Sequence, residues 1–144
     1  MWTCKKFHEL TLDELYQSLK LRSDVFVVEQ NCVYPDIDNF DQESLHIFYR
    51  ENEEILAYCR VVPSGKYEEL SIGRVIVRMD KRGTGLAQQL MTKALESVDN
   101  EFGNQPIRLC AQAHLQNYYG AFGFKTISEE FLEDGIPHVY MIKK

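Results

Sequence analysis

The chain has 144 residues, 44% of them hydrophobic and 26% charged, with a formal net charge of -6. That length suits one ordinary domain with room for a buried core, and the composition excludes disordered and low-complexity classes. An acidic chain, with a pI near 5.2, lacks the basic footprint of a nucleic-acid binder and leans towards cationic partners such as amines; net charge alone equally fits a merely solubilising acidic surface.

No apolar run approaches the roughly 20 residues of a membrane span, and the start "MWTCKKFHEL" carries no export signal. The four cysteines, Cys4, Cys32, Cys59 and Cys110, form no Cys-x-x-Cys pair, and no His-x-x-x-His spacing accompanies them. The spacing therefore supports no zinc or redox site. Cys59 and Cys110 lie in apolar runs and are expected as buried thiols in a reducing, cytoplasmic compartment.

In chain order, Lys5 to Leu10 is expected as a short first strand. Thr11 and Glu14 then form a capping box, each side chain satisfying the other's backbone amide, and Leu12, Leu15, Tyr16 and Leu19 follow at helical spacing. Ser23 to Gln30, "SDVFVVEQ", is apolar enough for a second helical piece, although its β-branched valines oppose an ordinary helix. Asn31 to Ser44 is a loop rich in turn formers and acids. Leu45 to Arg50 and Ile55 to Val62 read as a hairpin turning at residues 51–54, and Leu70 to Val77 as a further strand. Leu86, Ala87, Leu90, Met91, Ala94, Leu95 and Val98 make one helical stripe. Gly103 to Pro106 ends that helix. Pro106 to Ala111 is a strand, "HLQNYYGAF" a short helix, and Phe124 to Ile127 and Val139 to Ile142 a last pair of strands around an "EEFLEDGIPH" loop. Residues 1–144 thus read as a single α/β domain with a mixed sheet.

The segment "RGTGLA", Arg82 to Ala87, separates the apolar strand end "VIV" from the stripe helix. The first amides of a helix have no partner within it and point outward at the positive end of its dipole. A phosphate seated there meets several amides at once, and Gly83 and Gly85 would let it approach. An ordinary turn has the same appearance, and the fragment alone leaves both readings open. A P-loop is excluded, because Leu86-Ala87 stands where Lys-Ser/Thr is required. A dinucleotide fold is excluded by the missing third glycine and the late position.

Arg82-x-x-Gly85-x-Ala87 resembles the Gln/Arg-x-x-Gly-x-Gly/Ala signature of the GCN5-related N-acetyltransferase (GNAT) superfamily. Tyr119-Gly120-Ala121-Phe122-Gly123-Phe124 resembles its late tyrosine and Gly-Phe element. The blocks "LRSDVFVVEQNCVYPDIDNFD", "GRVIV", "AQAHLQNYY" and "EDGIPHVYM" are similar to the ElaA-like subgroup of small bacterial acetyltransferases. The resemblance implies an acyl-CoA N-acyltransferase fold: a mixed, mostly antiparallel sheet flanked by helices and splayed between the strand ending at Val77 and the strand near Pro106 to Ala111. It implies acetyl-CoA as cosubstrate, with no metal. The backbone of Val75, Ile76 and Val77 would pair with the pantetheine amides, and the amides of Arg82, Gly83, Thr84, Gly85, Leu86, Ala87 and Gln88 would seat the pyrophosphate. Asn117 would contact CoA, and Tyr119 would protonate the leaving thiolate as an amine attacks the thioester directly.

An alkylamine with a pKa of about 10 must lose a proton before it attacks, so a base is needed. Glu29, closing an apolar run, and His138, beside a terminal strand, are the candidates; an exposed helix-end acid and a structural histidine are the bland readings. His114 is read as a capping or packing residue, and His46 alternates within a strand. Asp36, Asp38 and Asp41 form an acidic loop that either attracts a cationic amine or is simply solvated. Arg22 and Arg60 sit beside apolar segments as ion-pair partners or substrate clamps. The acceptor is expected to be a small amine or a peptide or lysine amine, on a monomer or homodimer with no nucleic-acid or membrane partner. A non-catalytic acyl-CoA sensor and a transferase for a longer acyl group are the competing expectations.

Overall fold

In the computed structural model, which describes residues 1–144, the capping box starts the first helix. The Glu14 amide donates to Thr11 Oγ1 at 3.1 Å and the Thr11 amide to Glu14 Oε1 at 2.8 Å. Helix α1 (Leu12–Arg22) runs on into a π-helical segment, Ser23–Glu29, with the Gln30 amide bonded to Val25 O and the Cys32 amide to Val27 O. The valine-rich stretch is therefore helical, but in the wider π form often found near functional sites.

Eight strands form one sheet: β1 (Trp2–Lys6), β2 (Leu45–Glu51), β3 (Glu54–Val62), β4 (Leu70–Val77), β5 (Ile107–Gln112), β6 (Lys125–Thr126), β7 (Phe131–Glu133) and β8 (Ile136–Lys143). Their order is β1-β2-β3-β4-β5-β8-β6, with β7 also paired to β8, and only β4–β5 is parallel. Helix α2 (Leu86–Phe102) follows β4 and the short α3 (Gln116–Gly120) follows β5.

Two expectations are corrected. The first strand is Trp2–Lys6, because Phe7–Glu9 already turns as a 3-10 helix. The "EEFLEDGIPH" segment is no loop but a hairpin: Glu133 pairs with Ile136 across Asp134 and Gly135, at φ 51° and 79°. Two successive positive φ values make the primed turn that Asp-Gly favours.

Each face of the sheet carries a core. Leu90, Met91, Ala94 and Val98 of α2, all fully buried, pack on Ile47, Ala57, Cys59 and Val61. Each large side chain of this kind contributes on the order of 1.5–3 kcal/mol by leaving water. On the other face Leu21 and Val25 pack on Phe48, Ile55, Tyr58 and Ile76. The helices pin the middle of the sheet and leave the β4–β5 seam open at one end.

Candidate functional site: a cleft between two parting strands

Strands β4 and β5 are in register only at Leu70–Ile107 and Ser71–Arg108. Beyond that, β4 stays with β3 as far as Ala57–Val77, while β5 stays with β8 as far as Gln112–His138. A bulge accompanies this parting. Tyr58 faces Ile76 and Arg60 faces Gly73, so two residues of β4 oppose one of β3. Arg74, in the bulge, has φ 53°. A left-handed conformation is costly for a residue with a Cβ and is kept only where its surroundings hold it. Here Arg74 Nε donates to Asp36 Oδ1 at 2.8 Å and Nη2 to Asp36 O at 3.0 Å.

The gap is a cavity of about 430 Å³, lined by Val75, Ile76, Val77, Arg82, Tyr119 and His138 among others. At one end stands the start of α2. Gly83 and Gly85 have φ of 80° and 84°, and a Cβ built on either meets nothing within 4 Å. Gly85 occupies the cap position and no side chain caps the helix. The Thr84 hydroxyl turns back to Lys81 O at 2.6 Å. The exposed loop therefore presents backbone amides, with open space in front of the glycines, which suits the pyrophosphate of a CoA ester.

The Arg82 side chain beside that loop is ion-paired. Its Nη1 and Nη2 donate to Glu29 Oε2 and Oε1 at 2.6 and 3.0 Å, and its Nε donates to Val77 O at 3.0 Å. Glu29 lines the cleft, but both its oxygens are occupied by this guanidinium. The pair ties the π-helical segment to the glycine loop.

Beyond β5, Tyr119 of α3 lines the cleft, is buried and packs edge-on against Tyr118 and Phe124. Burial first, then Tyr118 and Cys59, raise its phenol above the ordinary tyrosine range, so it stays protonated well into alkaline pH. His114 is exposed but lines the cleft; Asn117 is exposed and is not among the lining residues. His46 is buried elsewhere, between the Tyr58 hydroxyl at 2.6 Å and Asp41 O at 2.9 Å. His138 Nδ1 lies 2.7 Å from Ile136 O, so that nitrogen carries the proton and Nε2 keeps its lone pair.

Cys110 is half-buried, not fully buried as expected. Its Sγ donates to Glu133 Oε2 at 3.2 Å, and burial together with this carboxylate pushes the thiol up to about 12. Cys110, Glu133 and His138 each place one ligand-type atom within 4.8 Å of the others. Sequence spacing gave no sign of this cluster. Alternation puts Cys110, His138 and Ile136 on the same sheet face, and the Asp-Gly hairpin brings Glu133 alongside.

The acidic loop is neither solvated nor an open cation trap. Asp36 and Asp41 hold Arg22, Asp38 and Asp41 hold Arg60, and Asp36 and Asp38 hold Arg74, with both Arg22 and Arg60 side chains only 1% exposed. Arg22 and Arg60 are thus internal ion-pair partners. The alternating charges lock residues 36–41 onto the sheet beside the cleft.

The family described as "Acetyltransferase (GNAT) domain" matches residues 11–144. The chain belongs to the GNAT acetyltransferase family. It is 45% identical to Protein ElaA of Escherichia coli, covering 99% of this chain and 95% of that protein. The crystal structure of Escherichia coli ElaA superposes with a TM-score of 0.94 at 44% identity, covering 100% of this chain and 99% of that one. An acyl-CoA N-acyltransferase from Pseudomonas aeruginosa superposes with a TM-score of 0.96 at 42% identity, over the same shares. The GNAT fold, with its one open mixed sheet between helices, is therefore the fold of this chain. No helix in it is long and apolar enough to cross a membrane.

Proposed function

We propose that this GNAT protein is an acetyl-CoA-dependent N-acetyltransferase that acts on a primary amine. The observation that carries the reading is the splayed β4–β5 cleft, with an uncapped, glycine-turned helix start following β4 and a buried, cleft-lining tyrosine following β5. The amides from Gly83 to Gln88 would hold the pyrophosphate. The edge of β4 at Val75, Ile76 and Val77 would pair with the pantetheine amides as an added strand. Arg82, already fixed by Glu29, would present the loop to the phosphates rather than act as an independent charge.

His138 Nε2 takes the proton that the ammonium must lose. The amine nitrogen then bonds to the thioester carbonyl carbon and the C–S bond breaks. Tyr119 donates its proton to the departing sulfur and recovers one from the nitrogen as the amide forms. Because Tyr119 is held protonated, this donor is present in essentially every molecule at neutral pH. With Glu29 bonded at both oxygens, His138 is the better-placed base.

Acetyl-CoA at about 100 times its Kd should stabilise the native state by about 2.7 kcal/mol, a Tm rise of roughly 5–10 °C for a chain of this size. Tyr119→Phe should lower kcat by about 100-fold with that rise unchanged. Turnover by the Phe variant at the parent rate would remove Tyr119 from the mechanism. Binding without thiol release across an amine panel would instead make the protein a CoA-responsive binder.

A further inference from the structure

A second cavity, of about 330 Å³, adjoins the CoA cleft: Phe26, Gln30, Arg74, Gln112 and His138 line both. Its size is at the small end of ligand pockets, about 300–1,000 Å³, which suits a small molecule. Asp38 lies in its wall beside Lys66 and Arg74, and the other charges are segregated. Glu133, Asp134 and His138 come from the β7–β8 hairpin, whereas Lys66 and Arg74 come from the far side of the loop network.

The acidic side lacks a counter-ion. Glu133 has no ion-pair partner, and the Cys110 thiol is its only side-chain hydrogen bond. Its neighbour His138 offers Nε2 as an acceptor. The Glu133 carboxylate and the His138 ring lie close together, within 4.8 Å by one nitrogen of the ring, and a carboxylate and an imidazole lone pair can receive two of the three protons of an ammonium group.

The basic side is only partly neutralised, because the one lining carboxylate there, Asp38, is shared among three cations. Lys66 Nζ is 3.7 Å from Asp38, beyond a good hydrogen bond, and Asp38 is already held by Arg60 and Arg74. Lys66 instead lies over the Phe40 ring at 4.8 Å. Burial, then the nearby Arg60 charge, hold its ammonium below the ordinary lysine range. Arg74 spends Nε and Nη2 on Asp36 and Asp38, while Nη1 bonds no protein group. An incoming carboxylate would satisfy both groups.

Building on the transferase reading, we infer that the acceptor is a small zwitterion, an amino acid or short peptide. Its ammonium sits against Glu133 and His138, at the wall shared with the CoA cleft, and its carboxylate sits against Lys66 and Arg74. Glu133 then binds the amine and His138 deprotonates it facing the thioester. A diamine would meet Lys66 and Arg74 with like charge.

The test measures thiol release from acetyl-CoA with free amino acids and dipeptides, their C-terminal amides, and diamines. The acids should have KM values at least tenfold below those of the matched amides. Lys66→Ala should collapse that preference towards unity, and Glu133→Gln should raise KM for acid and amide alike, with the acetyl-CoA Tm shift retained in both variants. Equal KM for acids and amides, or a preference for diamines, overturns the inference while leaving the transferase reading intact. If acetyl-CoA binds and no amine is consumed, the transferase reading fails. Thermal shifts of the CoA-saturated protein then decide the cavity alone: amino acids stabilising where amides do not supports it, and no shift from either overturns it. A Tm rise with zinc chloride alone, lost in Glu133→Gln and in Cys110→Ser, would also overturn it by making the cluster a metal site.

Discussion

Asp41→Asn removes one negative charge from the buried network around Arg22 and Arg60 and leaves the side-chain volume unchanged. Asp41 Oδ1 accepts from Arg22 Nη1 at 2.9 Å and from Arg60 Nη1 at 2.8 Å, and its side chain is 8% exposed. Removing one partner of a buried ion pair costs about 3–5 kcal/mol, since the remaining charge stays desolvated. Each arginine keeps a second carboxylate, Asp36 for Arg22 and Asp38 for Arg60. The expected loss is therefore at the lower end, about 3 kcal/mol, or a Tm drop of roughly 6–12 °C. Calorimetry at neutral pH measures it directly. Burial shields the pair from salt, so the deficit should persist at about 1 M ionic strength. A drop under about 2 °C would refute the reasoning, because the arginines would then be compensated without Asp41.

Gly85→Val probes the proposed phosphate seat. A Cβ at 85 has open space, so its cost comes from the left-handed φ of 84°, about 1–2 kcal/mol. If the strain relaxes by shifting the start of α2, the acetyl-CoA Kd should rise about 5–30-fold, and an unchanged Kd would place the pyrophosphate elsewhere. Acid stability should fall in two stages. Burial lowers the pKa of His46, so stability is lost as pH drops below its unfolded value of about 6.5. Burial alone would raise the Asp38 and Asp41 carboxyls, but the bonds and charges of Arg60 and Arg22 outweigh it and hold both below the usual range. Their contribution is complete above about pH 3.9 and is lost as pH falls towards the depressed folded values. Asp41→Asn should flatten that second stage in urea titrations between about pH 4 and 2; an acid limb as steep as the parent's would contradict it.

Local chemistry was legible in the sequence wherever a short pattern carries its own physics. The Thr11–Glu14 capping box and the glycine turn report geometry made within about one turn of the chain, and the Leu86 to Val98 stripe reports a helical period that any apolar face would match. The Asp134-Gly135 turn belonged to this class too, and its hairpin was hidden only by the charged residues around it. The parting of β4 from β5 was expected through family resemblance; the bulge at Arg74 that accompanies it leaves no local signal because it depends on the register with β3 and on anchoring by Asp36. The pairing of Glu29 with Arg82, and the convergence of Cys110, Glu133 and His138, join residues far apart in the chain. Asp36, Asp38 and Asp41 show the limit most plainly. In sequence they are an acidic loop with unknown partners. Only the fold, by burying Arg22 and Arg60 beneath them, turns that loop into a rigid cavity wall and spends its carboxylates on arginines, while Glu133 keeps no cation. Partner choice among like charges is decided by which of them lose water, and that is a property of tertiary packing.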